Sequence, residues 1–299
     1  MKNNALAVLF ASDEDSHLND LTIHRTTASL PYAGRYRLID FVLSNLVHAN
    51  ITKIGIITKN NYNSLMDHIR QGRDYDLNRK NGGISVYPPF VFNSAHEVYK
   101  GKIEALYMLR GFMLKSSEDY VVISNTNIAF NIDFDEVAQF HQEKGADITM
   151  LTYRTEDVTP RKLVVTEDKN KRITDLHFPV TTDTGKQLCN LNIYYVKKDL
   201  LISLIDNAYA HGAYDFEKDI VRASLDDLYV MSYEIENYVA VIDRIPTYFK
   251  RSMELLDPAV REDLFYSHST ILTKVKDSVP TKYKEGANVR NSIIADGCE

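Results

Sequence analysis

Tryptophan is absent from these 299 residues, and cysteine occurs only twice, as Cys189 and Cys298. Two cysteines exclude a disulfide framework and a cysteine-based zinc site, and they suit a reducing compartment. No apolar run approaches the roughly 18 residues that span a bilayer, and no charged-then-apolar leader opens the chain. The expectation is a cytoplasmic protein with no membrane partner. Basic residues are the minority sign, 35 Lys and Arg against 41 Asp and Glu, giving a net charge of −6. The chain therefore lacks the basic stripe that nucleic acid requires. Its one local cluster, Lys169-Asn170-Lys171-Arg172, reads as a solvated turn. His17, His24 and His141 do not have zinc-cluster spacing. The 19 tyrosines form no stacking ladder and read as core and interface residues.

A more local absence is the most informative one. Residues 6–11, Leu-Ala-Val-Leu-Phe-Ala, read as a short, fully buried strand. In an α/β fold, the turn after the first strand is where backbone N–H groups cradle phosphates. Such a turn needs glycines for close approach and a cation to meet the charge. Here it is Ser12-Asp13-Glu14-Asp15-Ser16-His17, with no glycine, no Lys, no Arg and three carboxylates. At about 4 Å each carboxylate–phosphate pair repels by roughly 1 kcal/mol in water, and by about 4 kcal/mol at an effective dielectric near 20. A nucleoside triphosphate is expected to be expelled. Asp13, Glu14 and Asp15 read as a solvated loop, the alternative being a divalent cation or a basic partner surface.

Length allows one large α/β domain, or one domain with an appendage. Strands are expected at 6–11, 53–57, 84–87, 120–124, 148–153, 163–166, 173–178, 191–196 and 229–235. Helices are expected at 37–49, 63–71, 102–114, 134–144, 198–208, 216–225 and 245–256. The β-α alternation of the first half predicts a doubly wound, mostly parallel sheet. The later strands, with less helix between them, suggest an antiparallel sub-sheet laid over the site. From Pro258 a polar linker is expected, to residue 286. Residues 287–299 then place aliphatics and a glycine at about six-residue intervals, as a hexapeptide β-helix begins. The expected division is a domain over 1–257, a linker over 258–286, and over 287–299 the first turn of a truncated β-helix; a strand-like or disordered tail is the alternative.

Several segments carry a resemblance. Pro31-Tyr32-Ala33-Gly34-Arg35-Tyr36-Arg37-Leu38-Ile39-Asp40-Phe41-Val42-Leu43-Ser44-Asn45 resembles the bacterial and plant glucose-1-phosphate adenylyltransferases. So do Ser64-Leu65-Met66-Asp67-His68-Ile69, Asp76-Leu77-Asn78-Arg79-Lys80-Asn81-Gly82-Gly83 and Tyr214-Asp215-Phe216-Glu217-Lys218-Asp219-Ile220. Asn291-Ser292-Ile293-Ile294-Ala295-Asp296-Gly297-Cys298 is similar to the start of that family's left-handed β-helix. The resemblance implies a Rossmann-like sugar nucleotidyltransferase domain with a mixed, mostly parallel sheet, followed by a left-handed β-helix and usually assembled as a tetramer. The implied reaction transfers adenylyl from ATP to glucose 1-phosphate, with Mg²⁺ bridging the phosphates.

This chain departs from that equipment at the ligand contacts. The Gly-Gly-x-Gly-x-Arg loop of the family is represented by Ser12, Asp13, Asp15 and their neighbours, with His17 at the arginine. Thr27 stands where the family has the Lys of Ala-Lys-Pro, and the Gly-Thr-Ala-Asp-Ala loop reads Gly101-Lys102-Ile103-Glu104-Ala105. The two metal-binding aspartates map onto Thr126 and Val241, so no metal is expected; Asp243 lies two residues from the second. The sugar-phosphate segment Glu-Lys-Pro reads His177-Phe178-Pro179. Such losses, all in ligand contacts, resemble the non-catalytic GlgD-type subunit found beside the catalytic one in Gram-positive glycogen operons.

The expected function is a regulatory, catalytically deficient subunit whose partner is a catalytic glucose-1-phosphate adenylyltransferase. The alternatives are a weakly active enzyme of that class and a sugar-phosphate sensor. Arg35 and Arg37 are candidates for an effector anion, set against a salt bridge or a solvated helix start. Asp40 is expected to cap its helix or pair with an arginine, and His68 to be a satisfied structural histidine.

Overall fold

A computed structural model describes residues 3–12, 17–59, 61–88, 99–179 and 185–299. A nine-stranded sheet organises the chain. Its strands are β1 (Ala5–Phe10), β2 (Lys53–Ile57), β3 (Gly83–Tyr87), β4 (Tyr120–Asn125), β5 (Ile148–Thr155), β6 (Val164–Glu167), β7 (Ile173–His177), β8 (Gln187–Lys197) and β9 (Val230–Ile235). β1 is central and parallel to both neighbours, with Val8 opposite Gly55 of β2 and Ile123 of β4. β3 extends the parallel half beyond β2.

Every residue of β1 is buried, because both of its faces are covered. Ala5, Ala7 and Leu9 point into one apolar layer, shared with Ile39, Val42 and Leu46 of α1 (Leu38–His48) and with α5 (Phe134–Glu143). Leu6, Val8 and Phe10 point into the other, against α3 (Lys102–Met108) and α6 (Lys198–Ala210). The expected 102–114 helix breaks at Leu109, and α4 (Arg110–Leu114) follows. Over 216–225, expected as a helix, the chain forms a π-type turn at Glu217–Val221 and a 3-10 turn at Arg222–Ser224.

The later strands are not laid over the site. They continue the same sheet, with β8 as the shared strand, antiparallel to β4, β5 and β6. β8 is longer than its apolar run suggests and its register slips between Asn190 and Tyr194. Asn192 adopts a left-handed φ of 56° there, and its N–H is taken by the Asn190 side chain at 2.9 Å. Such bulges re-aim side chains beside sites.

The expected linker also needs correction. α7 (Ile245–Glu254) is followed at once by α8 (Pro258–Tyr266). Asp257 caps α8 by accepting the Ala259 N–H at 2.9 Å, and Pro258 occupies the first turn, where its missing N–H costs nothing. Read as a break, that proline is instead a start signal. Leu264 of α8 joins a third apolar cluster with Leu18, Tyr32 and Phe41. Residues 287–299 form no strand. They return to residues 281 and 282 through Lys282 N–H to the Cys298 carbonyl (2.9 Å) and Thr281 Oγ1 to the Ala295 carbonyl (2.8 Å).

Candidate functional site

A cleft of about 470 Å³ opens beyond the carboxyl end of β1. Ligands bind at this place in open α/β sheets. Phe10 and Ser12 enter it from β1, and Asn190 to Asn192 of the β8 bulge form part of a wall. The chain returns at His17, whose N–H donates to the Asp243 carbonyl at 2.7 Å. Asp13 and Asp15, with Glu14 and Ser16 between and beside them, lie outside the described residues.

Of the two positions at which the resemblance implies metal-binding aspartates, Val241 lines this cleft and Thr126 lies between Asn125 and Asn127, which do; neither carries a carboxylate. Thr126 is buried, and its hydroxyl donates to the Phe10 carbonyl at 2.9 Å. Val241 lines the cleft and pairs with Ile128 in a short antiparallel bridge. Asp243, the nearest carboxylate in sequence, has both oxygens 3.2 Å from Nη1 of Arg244. A hydroxyl already donating, a hydrocarbon and a carboxylate held by a guanidinium do not fit Mg²⁺, which demands open oxygen ligands. Among the described residues no group of three or more His, Cys, Asp or Glu side chains could hold a metal ion. Thr27 is buried in a 3-10 turn, Thr27–Ser29, and contributes no charge.

Several cations of the cleft are neutralised by the protein itself. Arg244 bridges Asp243 and Asp157. Lys162, nearly buried, lies 3.5 Å from an Asp157 carboxylate oxygen and above the Tyr153 ring. Burial alone would raise the Asp157 carboxyl, but Lys162 and Arg244 hold it below its ordinary value. Burial pushes the Lys162 ammonium down, against the pull of Asp157 and Asp243. Lys102 forms an ion pair with Glu217, and its Nζ donates to Asn192 Oδ1 at 3.2 Å. Gly101 before it is required by packing, since a Cβ there would stand 2.3 Å from the Tyr214 carbonyl oxygen. Phe178, where the resemblance implies a sugar-phosphate lysine, lines the cleft without charge. The arrangement can hold a polar ligand by hydrogen bonds, yet it presents few uncommitted cations to a triphosphate.

Sequence reasoning missed Asp157, Lys162 and the Lys102–Glu217 pair as parts of the site. Their partners lie as far as 115 residues apart, and no local spacing signals such contacts.

Arg35 and Arg37 do not meet at a common point. The Arg35 guanidinium stacks over the Tyr36 ring at 5.8 Å. Arg37 donates from Nη1 to Ser64 of α2 (Asn63–Ile69), at its carbonyl (2.9 Å) and Oγ (2.7 Å). Burial lowers the Arg37 pKa, and Arg25 nearby lowers it further. Lys274, which donates to the Asp67 carbonyl at 2.6 Å, is likewise lowered by burial and then by Arg70 and Arg37. Four cations from separate segments thus share one region. Next to them, Asp40 caps α1 by accepting the Arg37 N–H at 2.9 Å, a backbone contact rather than a guanidinium pair. Its other oxygen accepts from His68 Nε2 (2.6 Å) and the Tyr75 hydroxyl (2.7 Å), all three side chains being fully buried.

The fold and the cleft define an α/β protein of the nucleotidyltransferase class. Residues 6–239 match the nucleotidyl transferase family. The chain is 34% identical over 298 residues to the glycogen biosynthesis protein GlgD of Bacillus subtilis (strain 168), covering 99% of this chain and 76% of that protein. It is 36% identical over 300 residues to GlgD of Geobacillus stearothermophilus, covering 100% and 77%. With a glucose-1-phosphate adenylyltransferase of Fervidobacterium nodosum (strain ATCC 35602 / DSM 5306 / Rt17-B1) it shares 29% identity over 303 residues, covering 99% and 72%. The chain belongs to the nucleotidyl transferase family, as a GlgD-type member.

Proposed function

We propose that this chain is a regulatory, catalytically deficient subunit that pairs with a catalytic glucose-1-phosphate adenylyltransferase in glycogen biosynthesis. The observation that carries the reading is the cleft, where Lys102, Lys162 and Arg244 pair with the protein's own carboxylates, while Thr126 and Val241, which the resemblance puts at the metal positions, carry none. In-line phosphoryl transfer relies on positioned cations to stabilise charge, and these cations are already engaged. The GlgD relatives, named for glycogen biosynthesis, support the pathway. The cations Arg25, Arg37, Arg70 and Lys274 support a sugar-phosphate effector site beside α1. The contacts of residues 281 and 282 with 295 and 298 support the start of a β-helical coil.

The test is pyrophosphate release by a catalytic glucose-1-phosphate adenylyltransferase, titrated with this chain. The expected result is a saturable change in rate or effector response, with a mixed complex on gel filtration. Unchanged kinetics at every ratio, with the two proteins eluting separately, would contradict the reading.

A further inference from the structure

β9 is an edge strand. Its inner side pairs in parallel with β5, as with Ile235 opposite Tyr153. On its outer side the described residues supply the Arg172–Met231 bridge and a hydrogen bond from the Ser232 N–H to the Lys171 carbonyl at 2.8 Å. Ser232 thus turns its N–H outward. By the alternation of a strand, Glu234 turns its N–H the same way, past the last bond of that covering turn, and the Glu236 N–H, just beyond the end of β9, makes no backbone hydrogen bond among the described residues. Among the described residues this end of the edge has no further backbone partner, and such an edge is a template for another chain.

The open end of β9 runs into a groove of about 790 Å³ at the carboxyl ends of β5 and β9, flanked by α7 and α8. Glu156, Glu236 and Lys250 line it and make no ion pair among the described residues. Arg251, also in the lining, holds Glu254 at 2.8 Å through Nη1, but its Nε is buried without an acceptor. An orphaned buried donor calls for a partner. A compact anion would meet Glu156 and Glu236, and a compact cation would meet Lys250 and Arg251. A mixed-charge polypeptide strand satisfies both signs, adds backbone bonds to Glu234 and Glu236, and lowers alternate side chains into the groove.

We propose that the β9 edge and this groove accept an extended, mixed-charge segment of a partner protein as an added strand. Resting on the function proposed above, that partner is the adenylyltransferase subunit. The wall between groove and cleft is the end of β5 and the residues after it. Asp157 lines the groove while its carboxylate holds Arg244 and Lys162 of the cleft, so docking on one side bears on the ion pairs of the other.

Hydrogen exchange on the full chain, alone and mixed with a catalytic adenylyltransferase, tests this. Within residues 232–238, the amides of Glu234 and Glu236 are expected to exchange at least about tenfold more slowly in the complex. Glu236→Pro, which removes an N–H just beyond the end of β9, where proline is tolerated, is expected to weaken the complex about tenfold. Its thermal midpoint should match that of the unsubstituted chain. A complex on gel filtration with unchanged exchange at 232–238 overturns the docking surface and leaves the proposed function standing. Protection of those amides in the chain alone, with self-association, makes the occupant a second copy and overturns the partner. No complex at all overturns the proposed function together with the partner named here.

Discussion

Asp40→Ala is expected to lower the free energy of unfolding by about 3–5 kcal/mol, the cost of removing one partner from a buried polar cluster. The carboxylate serves three donors at once, the Arg37 N–H, His68 Nε2 and the Tyr75 hydroxyl. His68 Nδ1 has no hydrogen-bond partner, so Nε2 is the only ring nitrogen that ties the imidazole into the cluster. Burial first, and then the Asp40 carboxylate, hold the Tyr75 hydroxyl firmly in its protonated, donating form. Alanine would strand two buried side chains and an N-terminal N–H of α1 in a single step. Urea denaturation with an unchanged m-value is the measurement. A loss below about 1 kcal/mol, the size of an ordinary single hydrogen bond, would contradict the assignment.

Acidification is expected to cost about 3 kcal/mol through one residue, His141. Burial pushes its imidazole pKa down to about 4, opposed by Asp147. The ring is wedged edge-on against Tyr120 at 5.5 Å and Tyr195 at 5.0 Å, with Nδ1 2.9 Å from Thr149 Oγ1. A depressed folded-state pKa means that the unfolded chain binds the proton more readily. Stability from this group is therefore complete above about pH 6.5 and falls as pH drops toward 4. Unfolding free energies of the unsubstituted chain and of His141→Gln, compared at pH 7.5 and 4.5, isolate the effect from that of the carboxylates. The unsubstituted chain should lose about 2–3 kcal/mol more than the variant; equal losses would contradict the account.

What the sequence made legible was local. β1, β2 and β4 follow from unbroken apolar runs buried on both faces, and α1 from three-to-four spacing. The capping role of Asp40 was readable from its place three residues after Arg37. Tyr75 was not, because it reaches Asp40 from an isolated 3-10 turn with no periodicity. α8 was read as linker because Pro258 signals a start as readily as a stop, and only Asp257 before it distinguishes the two. At the cleft, the absence of glycine, Lys and Arg from residues 12–17 is readable in the chain, whereas the ion pairs that engage the cleft's cations are not. Arg244, Asp157 and Lys162 come together through the meeting of three segments, so their mutual neutralisation is a tertiary property.

On the function proposed above, this cleft does not perform adenylyl transfer. The most direct measurement is pyrophosphate release by the isolated chain in ATP, Mg²⁺ and glucose 1-phosphate, beside a catalytic adenylyltransferase under the same conditions. No release above background is expected, since neither Thr126 nor Val241 offers a carboxylate to a metal and the nearby cations are paired. Turnover at a rate comparable to the catalytic enzyme's would contradict it.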